Sequence, residues 1–212
     1  MGFYTDRVVP RIVNVACGTK SAGPLRERVC RGLTGEVVEI GFGTGHNVPY
    51  YPPAVTSVTA VDPSDAGWRL ATDRVAAAGV PVRRACPDGQ PLPFGDHTFD
   101  AALSTWTLCT IPDAGAALRE VRRVLKPGGT LHFIEHGLAP EEDESVRRWQ
   151  RRLDPLEQRL FGGCHLTRPI AELVTAAGFT ITELEVFYEK GSPKTIGAFS
   201  LGVATTSALP EQ

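Results

Sequence analysis

Gly41, Gly43 and Gly45 stand at alternate positions directly after a short β-branched run, Val37-Val38-Glu39-Ile40. Glycine tolerates a positive φ and lets a ligand approach where a Cβ would clash. A strand that breaks into such a turn suits the cradle of a nucleotide or nucleoside. The spacing excludes two common designs. A G-x-G-x-x-G turn would need glycine at position 46, which is His46, and no Gly-Lys-Ser/Thr follows for a Walker A loop. What remains is an E-x-G-x-G-x-G pattern, with Glu39 two residues ahead of the first glycine. A second apolar run, Val58-Thr59-Ala60-Val61, ends in Asp62-Pro63, with Asp62 seventeen residues after Gly45. A carboxylate at that strand end can accept both hydroxyls of a ribose.

Other residues able to do chemistry lie further along. His46 follows the glycine loop, His136 closes a predicted strand in Phe133-Ile134-Glu135-His136, and His165 sits in Gly163-Cys164-His165-Leu166-Thr167-Arg168. Histidine is the usual side chain for taking a proton near neutral pH, and His136 and His165 are the favoured candidates. The plainer reading makes His136 a hydrogen-bonded strand-end residue and His165 a loop residue that positions Thr167 or Arg168. Cys164 reads as a packing thiol. Arg168 can hold a carboxylate or phosphate, cap a helix or pair with Asp154. No ligand spacing in the chain points to a metal site.

The glycine pattern with Glu39 and Asp62 resembles the first motifs of class I S-adenosylmethionine (SAM) methyltransferases. Pro87-Asp88-Gly89-Gln90-Pro91-Leu92-Pro93-Phe94 is similar to the D-x-x-x-L-P-F segment of the group that includes the ubiquinone and menaquinone biosynthesis methyltransferases. By that resemblance Asp88 meets the adenine amino group, the Gly89 amide meets a ring nitrogen, and Ser104, Thr105 and Trp106 wall the methionine end. Glu39, Gly41, Gly43, Gly45, Asp62 and Pro63 complete the expected cofactor contacts. Glu135-His136, then Leu153-Asp154-Pro155 and Gly163-Cys164-His165-Leu166-Thr167-Arg168, resemble the methyltransferase-like thiol S-methyltransferases. The eukaryotic members of that group are membrane-associated and are linked to alkyl thiols. The implied cofactor is SAM, leaving as S-adenosylhomocysteine.

These residues need elements to hold them. From Glu36 the sequence alternates strands and helices, which implies a parallel sheet with helices on both faces. Strands are expected at Glu36–Gly41, Ser57–Asp62, Pro81–Ala85, Phe99–Thr105, Thr130–Glu135, Thr182–Tyr188 and Thr195–Ala204. Helices are expected at Pro24–Leu33, Ala66–Ala78, Ala114–Leu125, Ser145–Phe161 and Arg168–Ala177. Pro49, Pro52 and Pro53 cut any helix after Gly45. Lys126-Pro127-Gly128-Gly129 ends one helix and turns the chain into the next strand. The resemblance implies an α/β, Rossmann-like class I methyltransferase fold: a mostly parallel seven-stranded sheet with an antiparallel C-terminal strand. The resemblance implies that residues 1–34 form an N-terminal helical segment covering the site, with a plain packing helix as the equal alternative. Residues 35–212 read as the SAM-binding domain, with a substrate-side insert near 137–168.

The 212 residues suffice for one large domain, and 42% hydrophobic with 22% charged residues is an ordinary globular balance. A net charge of -2 argues against a nucleic-acid partner. The five cysteines form no C-x-x-C pair, which fits a reducing compartment. Asp6, Arg7 and Pro10 interrupt any signal-peptide core, and no apolar run is long enough for a transmembrane helix. The expectation is a cytoplasmic monomer or homodimer acting on a small-molecule acceptor, with peripheral membrane contact left open. Three activities stand: methyl transfer to a small or lipophilic thiol; C-, O- or N-methylation of a quinone-like or phospholipid acceptor; and SAM binding without turnover.

Overall fold

The computed structural model describes residues 18–19, 21–85, 91–160 and 162–207. Asp88 and Gly89, with Phe161 and most of the N-terminal segment, lie outside the described residues.

In chain order the elements are α1 (Ala22–Cys30), β1 (Gly35–Ile40), a short 3-10 turn (Val48–Tyr50), β2 (Val55–Val61) and α2 (Asp65–Ala76). There follow β3 (Val82–Ala85), β4 (Phe99–Thr105), α3 (Ala114–Val124) and β5 (Leu125–His136). The chain closes with α4 (Glu144–Leu160), α5 (Ile170–Ala176), β6 (Thr180–Tyr188) and β7 (Ala198–Thr205). The seven strands form one sheet in the order β3-β2-β1-β4-β5-β7-β6. β1 to β5 are mutually parallel, and β7 runs antiparallel to both β5 and β6. This is the expected fold, with β7 as the antiparallel strand.

Side chains on a strand alternate between faces. Val38 and Ile40 therefore enter a core with Leu118 of α3, Phe133 and Val174 of α5. Val37 enters the other, with Val29 and Cys30 of α1, Leu103 and Ile134. Burial on both sides is why β1 reads as a nearly continuous apolar run. Strand order reverses at β1, which pairs with β2 on one side and β4 on the other. In open α/β sheets the crevice at such a reversal, beyond the carboxyl ends of the strands, is where ligands bind. The glycine loop leaves β1 at that point.

Several boundaries moved. β5 begins at Leu125 rather than Thr130, because Leu125 already pairs with Phe99 before the register shifts across the Pro-Gly-Gly turn. Gly128 takes φ +76° there. α5 starts at Ile170 rather than Arg168, since Pro169 occupies the position before its first turn. β7 starts at Ala198 because residues 193–197 are folded into a turn closed by Gly197 N–H to Pro193 O at 2.9 Å.

Candidate functional site

The loop after β1 is built by positive φ and close approach. Gly41, Gly43 and Gly45 have φ of +73°, +56° and +75°. A Cβ on Gly41 would stand 2.1 Å from Thr107 Oγ1, so the loop can pass this close to the end of β4 only as glycine. Gly43 differs. A Cβ there would meet nothing nearer than Gly41 O at 3.8 Å, an ordinary van der Waals distance, so it would clash with nothing in the protein. The start of α2 packs against the same loop: a Cβ on Gly67 would lie 2.9 Å from Gly43 O. Ser64 caps α2 by accepting the Gly67 amide at 3.0 Å.

Asp62 ties these pieces together. Its Oδ2 accepts the Gly43 amide at 2.8 Å and its Oδ1 accepts the Ser64 amide at 2.7 Å. Each carboxylate oxygen keeps acceptor capacity beyond one amide. Partial burial raises the Asp62 pKa, and the two amides oppose that rise. Pro63 is exposed beside it.

Two acids on the strands are buried, one on each face of the sheet. Glu39, 1% exposed, points to the α1 face. Its Oε1 accepts from Asn47 Nδ2 at 2.9 Å and its Oε2 accepts from the Tyr51 hydroxyl. Asn47 also donates to Thr105 Oγ1 at 3.0 Å and accepts from Arg26 Nη1 at 2.6 Å. Burial pushes the Glu39 carboxyl up to about 7 against the pull of Tyr51, Asn47 and Arg26. Glu39 is therefore the anchor that holds the glycine loop to α1 and β4. Glu135, fully buried on the opposite face, accepts the Ser104 hydroxyl at 2.7 Å and the Thr107 amide at 2.8 Å. The Leu108 and Cys109 amides also point to it, and burial raises it to about 7. Glu135 thus shapes the loop after β4 from inside.

Of the expected methionine wall, Ser104 and Thr105 are buried and committed to Glu135 and Asn47. Trp106 is half-buried and takes φ +50°, an uncommon conformation for a non-glycine residue. Its amide donates to Ile134 O at 2.8 Å, and the Arg26 guanidinium lies 4.7 Å from the ring centre. The Phe199 ring is centred 5.9 Å from both Trp106 and His136, meeting each edge-to-face. An aromatic wall thus joins the end of β4 to the end of β5.

His136 is 6% exposed, and its Nδ1 lies 3.4 Å from Cys164 Sγ. Its Nε2 is buried and finds no hydrogen-bond partner among the described residues. His165 stands apart, with its side chain part-exposed and Nδ1 3.7 Å from Asp154 Oδ2. Asp154 organises that whole segment: Oδ1 accepts the Leu166 amide at 2.6 Å and the Thr167 amide and hydroxyl at 3.2 Å. Arg168 reaches the loop after β4, donating to Leu108 O and to Pro112 O. His46 is half-buried next to Asn47. Among the described residues no cluster of His, Cys, Asp and Glu is arranged to hold a metal.

The structure thus places the glycines, Glu39, Asp62, Thr105 and Trp106 at or just beyond the carboxyl ends of β1, β2 and β4, with His136 at the end of β5. Arg26, Asn47 and Tyr51 join Glu39 in one hydrogen-bonded network, and Cys109 lies beside Cys164; none of these roles was singled out from sequence. Asn47 and Tyr51 lie within a few residues of the glycines, but no motif marks them. Arg26 comes from a helix with no local sign of a buried charge.

A methyltransferase-domain family matches residues 38–133. The rat thiol S-methyltransferase TMT1B is 35% identical over 169 residues, covering 73% of this chain and 65% of that protein. The chain therefore spans slightly under two thirds of that relative's length. The ubiquinone/menaquinone biosynthesis C-methyltransferase UbiE of Idiomarina loihiensis is 34% identical over 112 residues, covering 50% of this chain and 44% of that protein. The solved structure of a geranyl diphosphate methyltransferase with its substrate and sinefungin superposes with a TM-score of 0.69 at 15% identity, covering 87% of this chain and 77% of that one.

Proposed function

We propose that this chain, whose residues 38–133 match a methyltransferase-domain family, is a class I methyltransferase that moves the methyl group of SAM to a small or lipophilic thiol. The observation that carries the cofactor assignment is the cradle itself. Gly43 leaves the space that a Cβ would fill, and Asp62, set by two amides, keeps acceptor capacity facing it. In this reading Gly41, Gly43 and Gly45 admit the cofactor, Asp62 receives its ribose hydroxyls, and Pro63 borders it. Asp88 and Gly89 meet the adenine, and Trp106 covers the methionine end beside Ser104 and Thr105. Bound there, SAM supplies a methyl already activated on a sulfonium.

The chain's own residues then have three tasks. They orient the acceptor in line with the methyl, keep water out, and receive the acceptor's proton. His136 suits the last. It lies buried at the end of β5, with Nε2 unengaged among the described residues. His165, held near Asp154, sits on the acceptor side and supports the segment that carries Cys164. α1 is the described part of the N-terminal cover, and Arg26 links it to both the glycine loop and Trp106.

A lipophilic acceptor suggests a surface that meets lipid. α4 exposes Trp149, Leu156 and Leu160, beside the exposed Arg148, Arg152 and Arg159. No helix among the described residues is long and apolar enough to cross a membrane. The proposal is therefore peripheral contact through α4. Free thiols at Cys30, Cys109 and Cys164 support a reducing, cytoplasmic setting.

The test is methyl transfer from labelled SAM to a simple alkyl thiol, with Asp62→Ala as the control. Thioether from the wild type and none from the variant supports both acceptor and cofactor. SAM binding without thioether overturns the thiol reading. Product with a quinone-like or phospholipid acceptor would then establish the C-, O- or N-methyltransferase alternative. Absence of product with every acceptor would leave a SAM-binding protein without turnover.

A further inference from the structure

Cys164 reads from sequence as a packing thiol, yet its surroundings are those of a hydrogen-bond acceptor. Its Sγ lies 3.4 Å from His136 Nδ1, and the residue is only 8% exposed. On its other side the Cys109 thiol is a hydrogen-bonding neighbour, itself buried. The backbone around Cys164 is fixed from both directions. Gly163 takes φ +91° and its amide donates to Gln158 O at 2.9 Å. The His165 amide donates to Cys109 O at 2.9 Å, and Asp154 grips the Leu166 and Thr167 amides. A sulfur held this firmly cannot drift away from the imidazole it touches.

The imidazole is fixed on its other flank by the Phe199 ring. One ring nitrogen faces sulfur, and the other is buried without a partner among the described residues. Which nitrogen of a histidine carries the proton is set by the hydrogen bond its partner nitrogen makes. We propose that Cys164 is a positioning residue for methyl transfer: by accepting the His136 Nδ1–H, it leaves Nε2 as the atom that takes the acceptor's proton. This deepens the proposed function and rests on its assignment of His136.

The electrostatics agree with that role. The hydrogen bond from the Cys109 thiol, then that to His136, lowers the Cys164 pKa against the opposing effect of burial. Cys109 moves the other way, held protonated by its bond to Cys164 and by burial. Cys109 keeps its proton and turns it toward Cys164, which leaves the Cys164 sulfur as the acceptor that faces His136 Nδ1. During transfer the acceptor's lone pair forms the new bond to the methyl carbon as the sulfonium C–S bond breaks. The acceptor's proton passes to Nε2, and the imidazolium so formed keeps Nδ1–H directed at Cys164. Cys164 itself is not alkylated.

The test reads the histidine directly and needs neither cofactor nor acceptor. Protein labelled with 15N-histidine is examined by long-range 1H–15N NMR across pH 5–9, with His136→Gln assigning the signal. The expected wild-type His136 is the Nδ1–H tautomer with Nε2 unprotonated above its midpoint. Cys164→Ala is expected to move the population toward Nε2–H and to lower the midpoint, and Cys164→Ser to restore the Nδ1–H form in part. An Nε2–H wild type, an imidazolium that persists through neutral pH, or a tautomer unchanged in Cys164→Ala would each overturn the proposal. Turnover of an alkyl thiol supplies the second readout. Cys164→Ala should lower kcat about tenfold or more, shift the rising limb of its pH profile downward and leave SAM affinity unchanged. The expected tautomer in a protein that methylates no thiol would sink the acceptor assignment while sparing the role of Cys164.

Discussion

Gly41 and Gly43 have similar backbone angles but opposite surroundings, and that difference predicts different consequences. Alanine at either site meets the left-handed penalty of about 1–2 kcal/mol. At Gly41 the new methyl also collides with Thr107, so Gly41→Ala is expected to lose stability and SAM binding together. At Gly43 the methyl meets only an ordinary contact, Gly41 O at 3.8 Å. Gly43→Ala should remain folded, with a thermal midpoint within a few degrees of the wild type, yet bind SAM at least tenfold more weakly in calorimetry. Equal loss of stability in both variants would remove the argument that Gly43 leaves room for a ligand. Glu39 gives a second prediction at this scale. Its folded pKa of about 7 lies above the unfolded value of about 4.5, so the native state binds its proton more tightly. That contribution is fully present below pH 4.5 and is lost as pH rises through 7. Glu39→Gln is neutral throughout, so its stability curve should be flatter than the wild type's across that window. Unfolding midpoints at a series of pH values would show this, and parallel curves would refute it. The glycines and acids were legible in the sequence because positive φ and buried charge restrict residue type severely. Asn47, Tyr51 and Arg26 were not, because their roles exist only once α1 and the 3-10 turn close over β1.

At the scale of elements, β4 was read with its observed ends, Phe99–Thr105. Its apolar core lies between polar turn residues, and burial on both faces leaves little freedom. Ends set by tertiary contact were less legible. Leu125 joins β5 because Phe99 lies opposite it, which no local pattern announces. The joint between α4 and the segment before α5 is another such contact, and it rests on Asp154. Both of its oxygens are occupied, Oδ1 by the Leu166 and Thr167 groups and Oδ2 by Gln158 Nε2 at 2.6 Å. Asp154→Ala would strand the buried Leu166 amide and the part-buried Thr167 and Gln158 donors, at a cost of roughly 3 kcal/mol. Urea unfolding should show a lower midpoint with an unchanged slope. Because the same joint holds Cys164 against His136, the variant should also lose methyl transfer more than SAM binding. A loss of stability below about 1 kcal/mol would mean that the segment is held mainly by other contacts.

Across the whole molecule, the net charge of -2 hides an uneven distribution. α4 buries Val146, Gln150 and Asp154. At helical spacing, Trp149, Leu156 and Leu160 form a stripe beside that buried face, and Arg148, Arg152 and Arg159 form a row beyond it. An apolar stripe with a tryptophan beside a row of arginines suits the headgroup boundary of an anionic bilayer. α4 follows the end of β5 and packs there through Gln150, which holds the Gly137 carbonyl and the Ala139 amide at 3.0 and 2.9 Å. Contact through α4 would therefore bring the carboxyl edge of the sheet, and the crevice within it, close to the lipid. The expected outcome is cosedimentation with vesicles containing anionic lipid, weaker with zwitterionic vesicles and falling as salt rises past the point where the screening length is about 10 Å. Trp149→Ala and the triple Arg148→Ala, Arg152→Ala, Arg159→Ala variant should each reduce binding, while leaving methyl transfer to a water-soluble thiol unchanged. Binding that survives both variants would place the lipid contact elsewhere on the molecule. The absence of binding to any vesicle would leave α4 to meet a protein, and a lipophilic acceptor would then have to reach the crevice from solution.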